Sequence, residues 1–165
     1  MDTRGQMQWR WRVRTRGFTL VEMMVVIALV AIISSVAAPG LRQFASGQRA
    51  KGITTDLMSD LLLARSEALK RNTTVSVTPR SARWDLGWVV ASGGVDIVTR
   101  EAASDVVQFS GAPAVIAFNL NGRVSAPATA VRITVTPATG GSSHLQRCVE
   151  LDLSGRARMQ VGACT

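Results

Sequence analysis

Read for hydrophobic and polar positions alone, the chain divides into three stretches. From Phe18 through Ala38 it is predominantly apolar and its only charge is Glu22, and Pro39-Gly40 closes the run. About 20 apolar residues cross a bilayer as a helix, so this stretch has the length of a span. Beyond Pro39 the pattern becomes periodic. Ile53, Leu57, Leu61, Ala64 and Ala68 recur at steps of three and four, which puts them on one face of an amphipathic helix. Asp56, Asp60, Arg65, Glu67, Lys70 and Arg71 are expected to occupy the remainder of its surface. The helix should end near Asn72, where Thr73-Thr74-Val75-Ser76-Val77 turns β-branched and alternating. The pattern thus predicts one long helix, with 18–38 in lipid and 39–72 amphipathic and packed on a globular head.

The third stretch, 73–165, reads as short strands separated by turns. Candidate strands are 75–78, 87–91, 95–99, 106–109, 115–118, 131–136, 146–153 and 158–161. Ser92-Gly93-Gly94 is a hairpin signal, because glycine supplies the positive φ that tight hairpin turns need. Asn121-Gly122, Gly140-Gly141 and Ser154-Gly155 are similar punctuation. A helix followed by consecutive strands argues an α+β fold with an antiparallel sheet.

Charge changes the picture at the N-terminus. Five arginines (Arg4, Arg10, Arg12, Arg14, Arg16) and one acid, Asp2, precede the apolar run. Basic flanks stay on the cytoplasmic side, so the C-terminal head should lie outside. The formal charge of +8 owes much to residues 1–17. Without them fourteen basic residues face ten acidic ones, leaving +4. A secretory signal also has a basic start and an apolar core, and Ser34-Ser35-Val36-Ala37-Ala38 has the small residues of a cleavage site. A plain membrane anchor is the other bland reading. Neither accounts for Glu22, since a carboxylate in a span costs about 2.5–3.5 kcal/mol at the bilayer centre and less near its edge.

Arg16-Gly17-Phe18-Thr19-Leu20-Val21-Glu22 resembles the prepilin motif of type IV pilins and type II secretion pseudopilins. The resemblance implies that a prepilin peptidase removes 1–17 by cutting between Gly17 and Phe18, and that Phe18 is then N-methylated. It gives Glu22 an assembly role, pairing with the Phe18 amine of a neighbouring pilin subunit. Pro39 stands where pilins commonly carry a helix-breaking proline. Further on, Ala64-Arg65-Ser66-Glu67-Ala68-Leu69-Lys70-Arg71-Asn72, Trp84 through Trp88, Phe118 through Arg123 and Leu153 through Arg158 resemble the GspH/FimT branch of the superfamily, FimT most of all. The chain is then expected in the bacterial inner membrane with its head in the periplasm, and in a filament after assembly.

Candidate chemistry centres on the C-terminal turn. Alternate strand residues share a face, so Arg156 and Arg158 should present two guanidiniums side by side beside Gly155. Such groups suit phosphate oxygens; they equally suit salt bridges to Glu150 and Asp152. The resemblance favours DNA as partner, because in FimT-like minor pilins a Gly-Arg-x-Arg motif is associated with DNA capture in natural transformation. Arg147, Arg123 and Arg132 are possible extensions of that patch. A GspH-like pseudopilin, or a purely structural assembly pilin, is the alternative. Cys148 and Cys164 flank the turn and are expected to form a disulfide holding it in one shape, with two buried free thiols as the alternative. Trp84 and Trp88 could stack on bases or pack in the core, the latter for at least one of them. His144 lies in a Gly/Ser-rich loop without a nucleophile nearby. No cofactor, metal or catalytic role is expected from these residue types.

Overall fold

A computed structural model of the chain describes residues 17–139 and 143–165. Residues 1–16 of the expected leader and the Gly140-Gly141 turn signal lie outside the described residues. The chain separates into two compact units, Met1–Ala38 and Pro39–Thr165. Helix α1, Leu20–Arg71, runs through their boundary. Its N-terminus is capped by Thr19, whose hydroxyl accepts from the Glu22 amide at 3.2 Å. Thr19-Leu-Val-Glu22 thus has the spacing of a capping box. The first part of α1 is exposed throughout and long and apolar enough to cross a membrane. Pro39 does not break the helix. It forfeits one backbone hydrogen bond and crowds a carbonyl, a local cost of about 3 kcal/mol that the turns on either side outweigh.

The second unit holds the head. Strands β1 (Val75–Arg80), β2 (Arg83–Ser92), β3 (Val95–Thr99), β5 (Ile116–Phe118) and β6 (Val124–Ala126) form one sheet, ordered β3-β2-β1-β5-β6. Strands β4 (Val107–Ser110), β7 (Val131–Pro137), β8 (Arg147–Leu151) and β9 (Ala157–Val161) form a second, ordered β4-β7-β8-β9. Every pairing is antiparallel. The expected antiparallel sheet is thus present, its strands divided between two sheets, and one core cluster joins them to α1. Leu57, Leu61, Ala64 and Ala68 meet Val75 and Val77 of β1, Ile116 and Phe118 of β5, Ile133 and Val135 of β7, and Val149 and Leu151 of β8. The alternation that predicted these strands is also what aims their side chains inward.

The helix stops where its chemistry requires. Asn72 takes a positive φ of 51°, and the Thr73 amide donates to the Ala68 carbonyl at 3.2 Å, the closing bond of a Schellman turn.

Several expectations need correction. Strand β2 begins at Arg83, four residues earlier than the apolar alternation suggested, because β1 and β2 form one long hairpin. The short strand β6 and the 3-10 turn Ser143–Leu145 carry too few apolar residues to stand out. Asp60 and Glu67 do not lie on a polar face of α1; both are buried. Glu67 receives Arg71 Nε and Lys70 Nζ on the same helix, and the Arg71 bond is the largest influence holding its carboxyl below the usual range. Asp60 is held by residues of the head, described below.

Candidate functional site

The Gly-Arg-x-Arg segment is the turn between β8 and β9, and Asp152 shapes it. The Asp152 amide donates to the Arg156 carbonyl at 3.1 Å, and the Gly155 amide donates to the Asp152 carbonyl at 2.9 Å. The Asp152 carboxylate accepts from the Ser154 hydroxyl, from the Arg156 amide at 3.1 Å and from Arg156 Nε at 3.3 Å. The Ser154 hydroxyl first, then the Arg156 amide, lower its pKa to about 2. Gly155 has φ 80°, and a Cβ there would run into the carbonyl oxygen of Gly122. Only glycine meets both demands without strain.

The two motif arginines are not equivalent. β9 begins at Ala157, so Arg156 is a turn residue and does not stand beside Arg158 on a strand as expected. Its guanidinium folds back onto Asp152. Arg158 lies in β9 opposite Glu150, and Glu150 lies opposite Arg132 of β7. This gives a row of cation, anion and cation across three strands. Glu150 is engaged by Arg132 Nε at 3.5 Å and by Gln160 Nε2 at 3.3 Å. Among the described residues, Arg158 has no carboxylate partner. Arg132, Arg156 and Arg158 still line one cleft of about 160 Å³ together with Glu150 and Asp152. Three arginines against two carboxylates leave a small positive excess. Exposed ion pairs of this kind contribute little to stability, so an incoming phosphate can exchange with them.

Cys148 and Cys164 form a disulfide. The Cys164 amide also donates to Thr134 Oγ1 at 3.0 Å. The C-terminal residues therefore lie across β8 and β7, which explains why Thr134 and Cys148 are buried on the face that also carries Arg132 and Glu150. Arg147 does not join the cleft. Three residues from Glu150 along β8, it falls on the opposite face, where it donates to the carbonyls of His144 at 3.0 Å and Gln146 at 2.7 Å. Arg123 is exposed in the β5–β6 connection, close to the turn through Gly122.

Both tryptophans are core residues. Trp84 Nε1 donates to the Pro113 carbonyl at 2.7 Å, and Trp88 Nε1 donates to Asp60 at 2.9 Å. Neither offers a face for stacking bases. His144 is exposed in the 3-10 turn, and among the described residues no three His, Cys, Asp or Glu side chains are grouped to hold a metal ion. At the other end of the chain, Gly17 and Phe18 are exposed just before α1, and Glu22 sits in its first turn. A carboxylate there is favoured by the helix dipole whatever else it does.

What sequence reasoning missed is Asp152 as the organiser of the turn. Its signal was present: Asp-Leu-Ser-Gly has the spacing of an aspartate that bonds its own backbone in a tight turn.

Comparison with known proteins adds the lineage. Residues 54–155 match the family described as type II transport protein GspH, and residues 12–38 match the prokaryotic N-terminal methylation motif. The first match stops at Gly155, just short of Arg156 and Arg158. Two Pseudomonas aeruginosa proteins, each called fimbrial protein, are 27% identical over 74 residues, 44% of this chain and 48% of theirs. The chain thus spans about half the length of these relatives. Two crystal structures of the Pseudomonas aeruginosa type IV minor pilin FimU share the fold, each with a TM-score of 0.54. They are 20% and 19% identical, covering 67% and 71% of this chain and 91% and 92% of FimU. With the family match extending over more than half its length, the chain belongs to the GspH family; it carries the prokaryotic N-terminal methylation motif and shares its fold with the minor pilin FimU.

Proposed function

We propose that this minor pilin contacts DNA non-specifically through its β8–β9 turn, as a subunit of a type IV pilus serving DNA uptake in natural transformation. The observation that carries this is Arg158, exposed and without a carboxylate partner among the described residues, in the same cleft as Arg156 and Arg132. Guanidiniums so placed can receive phosphate oxygens, and the disulfide keeps the hairpin in one shape. Gly155 and the bonds of Asp152 hold Arg156 at the rim of the cleft. In this reading 1–17 is a leader removed by the prepilin peptidase, with Gly17 and Phe18 flanking the cut and Phe18 becoming methylated. Residues 18–38 anchor the chain in the inner membrane, 39–72 form the amphipathic part of the helix, and 73–165 the periplasmic head. Glu22 meets the Phe18 amine of a neighbouring pilin. The role is one of binding and assembly without catalysis.

A second reading has its own support. Arg156 is held by Asp152 and Arg132 by Glu150, as expected of a structural hairpin in a pseudopilin of a type II secretion system or an assembly pilin. DNA titration of the full chain in detergent across a salt series separates the two. The DNA reading expects weak binding with little sequence preference and a salt slope that falls by roughly 1 for each arginine lost. It also expects reduction of Cys148–Cys164 to weaken binding without abolishing it. If the double variant Arg156→Ala, Arg158→Ala is folded and binds like the parent, the structural reading stands.

A further inference from the structure

The β8–β9 turn is docked on two other segments. A Cβ on Gly155 would meet the Gly122 carbonyl oxygen, and would lie 3.2 Å from Arg65 Nε and 3.3 Å from Arg65 Cδ. Gly122 belongs to the β5–β6 turn and packs on Leu69, one helical turn beyond Arg65 on α1. A hydrogen bond from the Val124 amide to the Leu153 carbonyl, 3.2 Å, ties the two turns together. Three segments distant in sequence therefore converge at one rim of the head, and each brings an arginine: Arg65 from α1, Arg123 next to Gly122, and Arg156 next to Gly155.

Their pairing differs from that of their neighbours. Lys70 and Arg71 on the same helix are taken by Glu67, and Arg156 by Asp152. Among the described residues neither Arg65 nor Arg123 meets a carboxylate. Arg65 Nε is buried and donates to nothing, the only described side-chain atom in that condition. That enclosed Nε lies beneath the Gly155 turn and out of a phosphate's reach; what an anion can meet is the outer edge of the half-buried guanidinium, which has no carboxylate among the described residues.

We infer that Arg65 and Arg123 are phosphate-contacting residues of the same surface, so that a nucleic-acid backbone crosses from the β9 cleft over the Gly122–Gly155 contact to α1. This rests on the DNA reading above and enlarges its site. It also ranks the contacts. Arg65, Arg123 and Arg158 can bind phosphate without first leaving a carboxylate, whereas Arg156 must exchange Asp152 for it. Arg156 then adds less affinity than the other three, though its phosphate contact still counts in the salt slope.

The test is DNA affinity and salt slope of the full-length chain in detergent, using a fluorescent oligonucleotide and the variants Arg65→Gln, Arg65→Lys, Arg123→Gln and Arg80→Gln. Arg123 is exposed, so its replacement leaves folding intact even if Arg65→Gln does not. Arg123→Gln, and Arg65→Gln where folded, should each reduce the salt slope by roughly 1. Each should lower affinity on the order of fivefold to tenfold near 0.1 M salt. Arg65→Lys should restore the slope, and Arg80→Gln should match the parent. If the double Arg156, Arg158 variant loses binding while Arg65→Gln and Arg123→Gln keep the parent's affinity and slope, this inference fails and the DNA reading survives. If the parent does not bind, both fall. If Arg123→Gln binds DNA normally but is excluded from filaments, the rim is a contact between pilin subunits instead.

Discussion

Asp60 and Arg100, forty residues apart in sequence, form the main polar tie between α1 and the sheet that contains β3. Arg100 Nε and its terminal nitrogen donate to the two carboxylate oxygens at 2.7 and 3.0 Å, and Trp88 Nε1 donates to the same group at 2.9 Å. The carboxylate side chain is only 3% exposed and the guanidinium 36%. Removing one partner of a fully buried pair costs about 3–5 kcal/mol, and the exposure of Arg100 moves the loss toward the lower end. Asp60→Ala should therefore lower the denaturation midpoint clearly, as it orphans the Trp88 N–H as well, and Arg100→Ala should follow. An unchanged urea midpoint for both would show the tie to be dispensable. Arg100 is for the same reason unsuitable as a silent control in DNA binding, whereas exposed Arg80 is suitable.

Gly155→Ala probes the turn without altering charge. A non-glycine residue in the left-handed region costs about 1–2 kcal/mol, and the new methyl also collides with the Gly122 carbonyl. The variant should be less stable and should bind DNA more weakly, although every arginine remains. Parental stability by thermal melting, or parental DNA affinity, would contradict the docking of the two turns.

The carboxyl of Asp152 titrates far below its ordinary value of 3.8, at about 2. A depressed folded-state value means that the ionised group stabilises the turn above pH 4 or so. That contribution fades as pH falls through about 2. Carbon-detected NMR titration of Asp152 should give a midpoint near this value, and Ser154→Ala should raise it. A midpoint near 3.8 in the parent would mean the carboxylate does not hold Ser154 and Arg156 in solution.

Processing and assembly make a separate prediction. Coexpressed with a prepilin peptidase, the chain should lose 1–17 and gain one methyl group on Phe18, read by intact mass. An uncut N-terminus, or cleavage near Ala38, would sink the pilin processing scheme. Glu22→Ala should remain in the membrane fraction and drop out of sheared filaments. Equal incorporation would leave Glu22 with only its place in the helix N-terminal turn, where Thr19 already caps the backbone.

The long helix, its end at Asn72, most strands and the Ser92-Gly93-Gly94 hairpin were legible because they are local. An apolar face repeats every three to four residues along α1, alternation repeats every two along β1 and β7, and glycine marks the turns. The prepilin-like Gly17, Phe18 and Glu22 were legible in the same way, as neighbours along the chain. The division of nine strands between two sheets was not, since strand order depends on which distant segments share a core. Nor was the burial of Asp60, whose partners Trp88 and Arg100 arrive from another part of the chain. The arginine turn shows both sides within a few residues. The resemblance to the Gly-Arg-x-Arg motif of FimT-like pilins singled out Gly155, Arg156 and Arg158, which spacing by itself left open to a plain salt-bridged hairpin. Only tertiary packing left Arg158 without a carboxylate among the described residues, by giving Glu150 to Arg132, and brought Gly122 and Arg65 against the turn. A charge's partner is set by three-dimensional proximity, and at sequence separations of this size no local pattern encodes it.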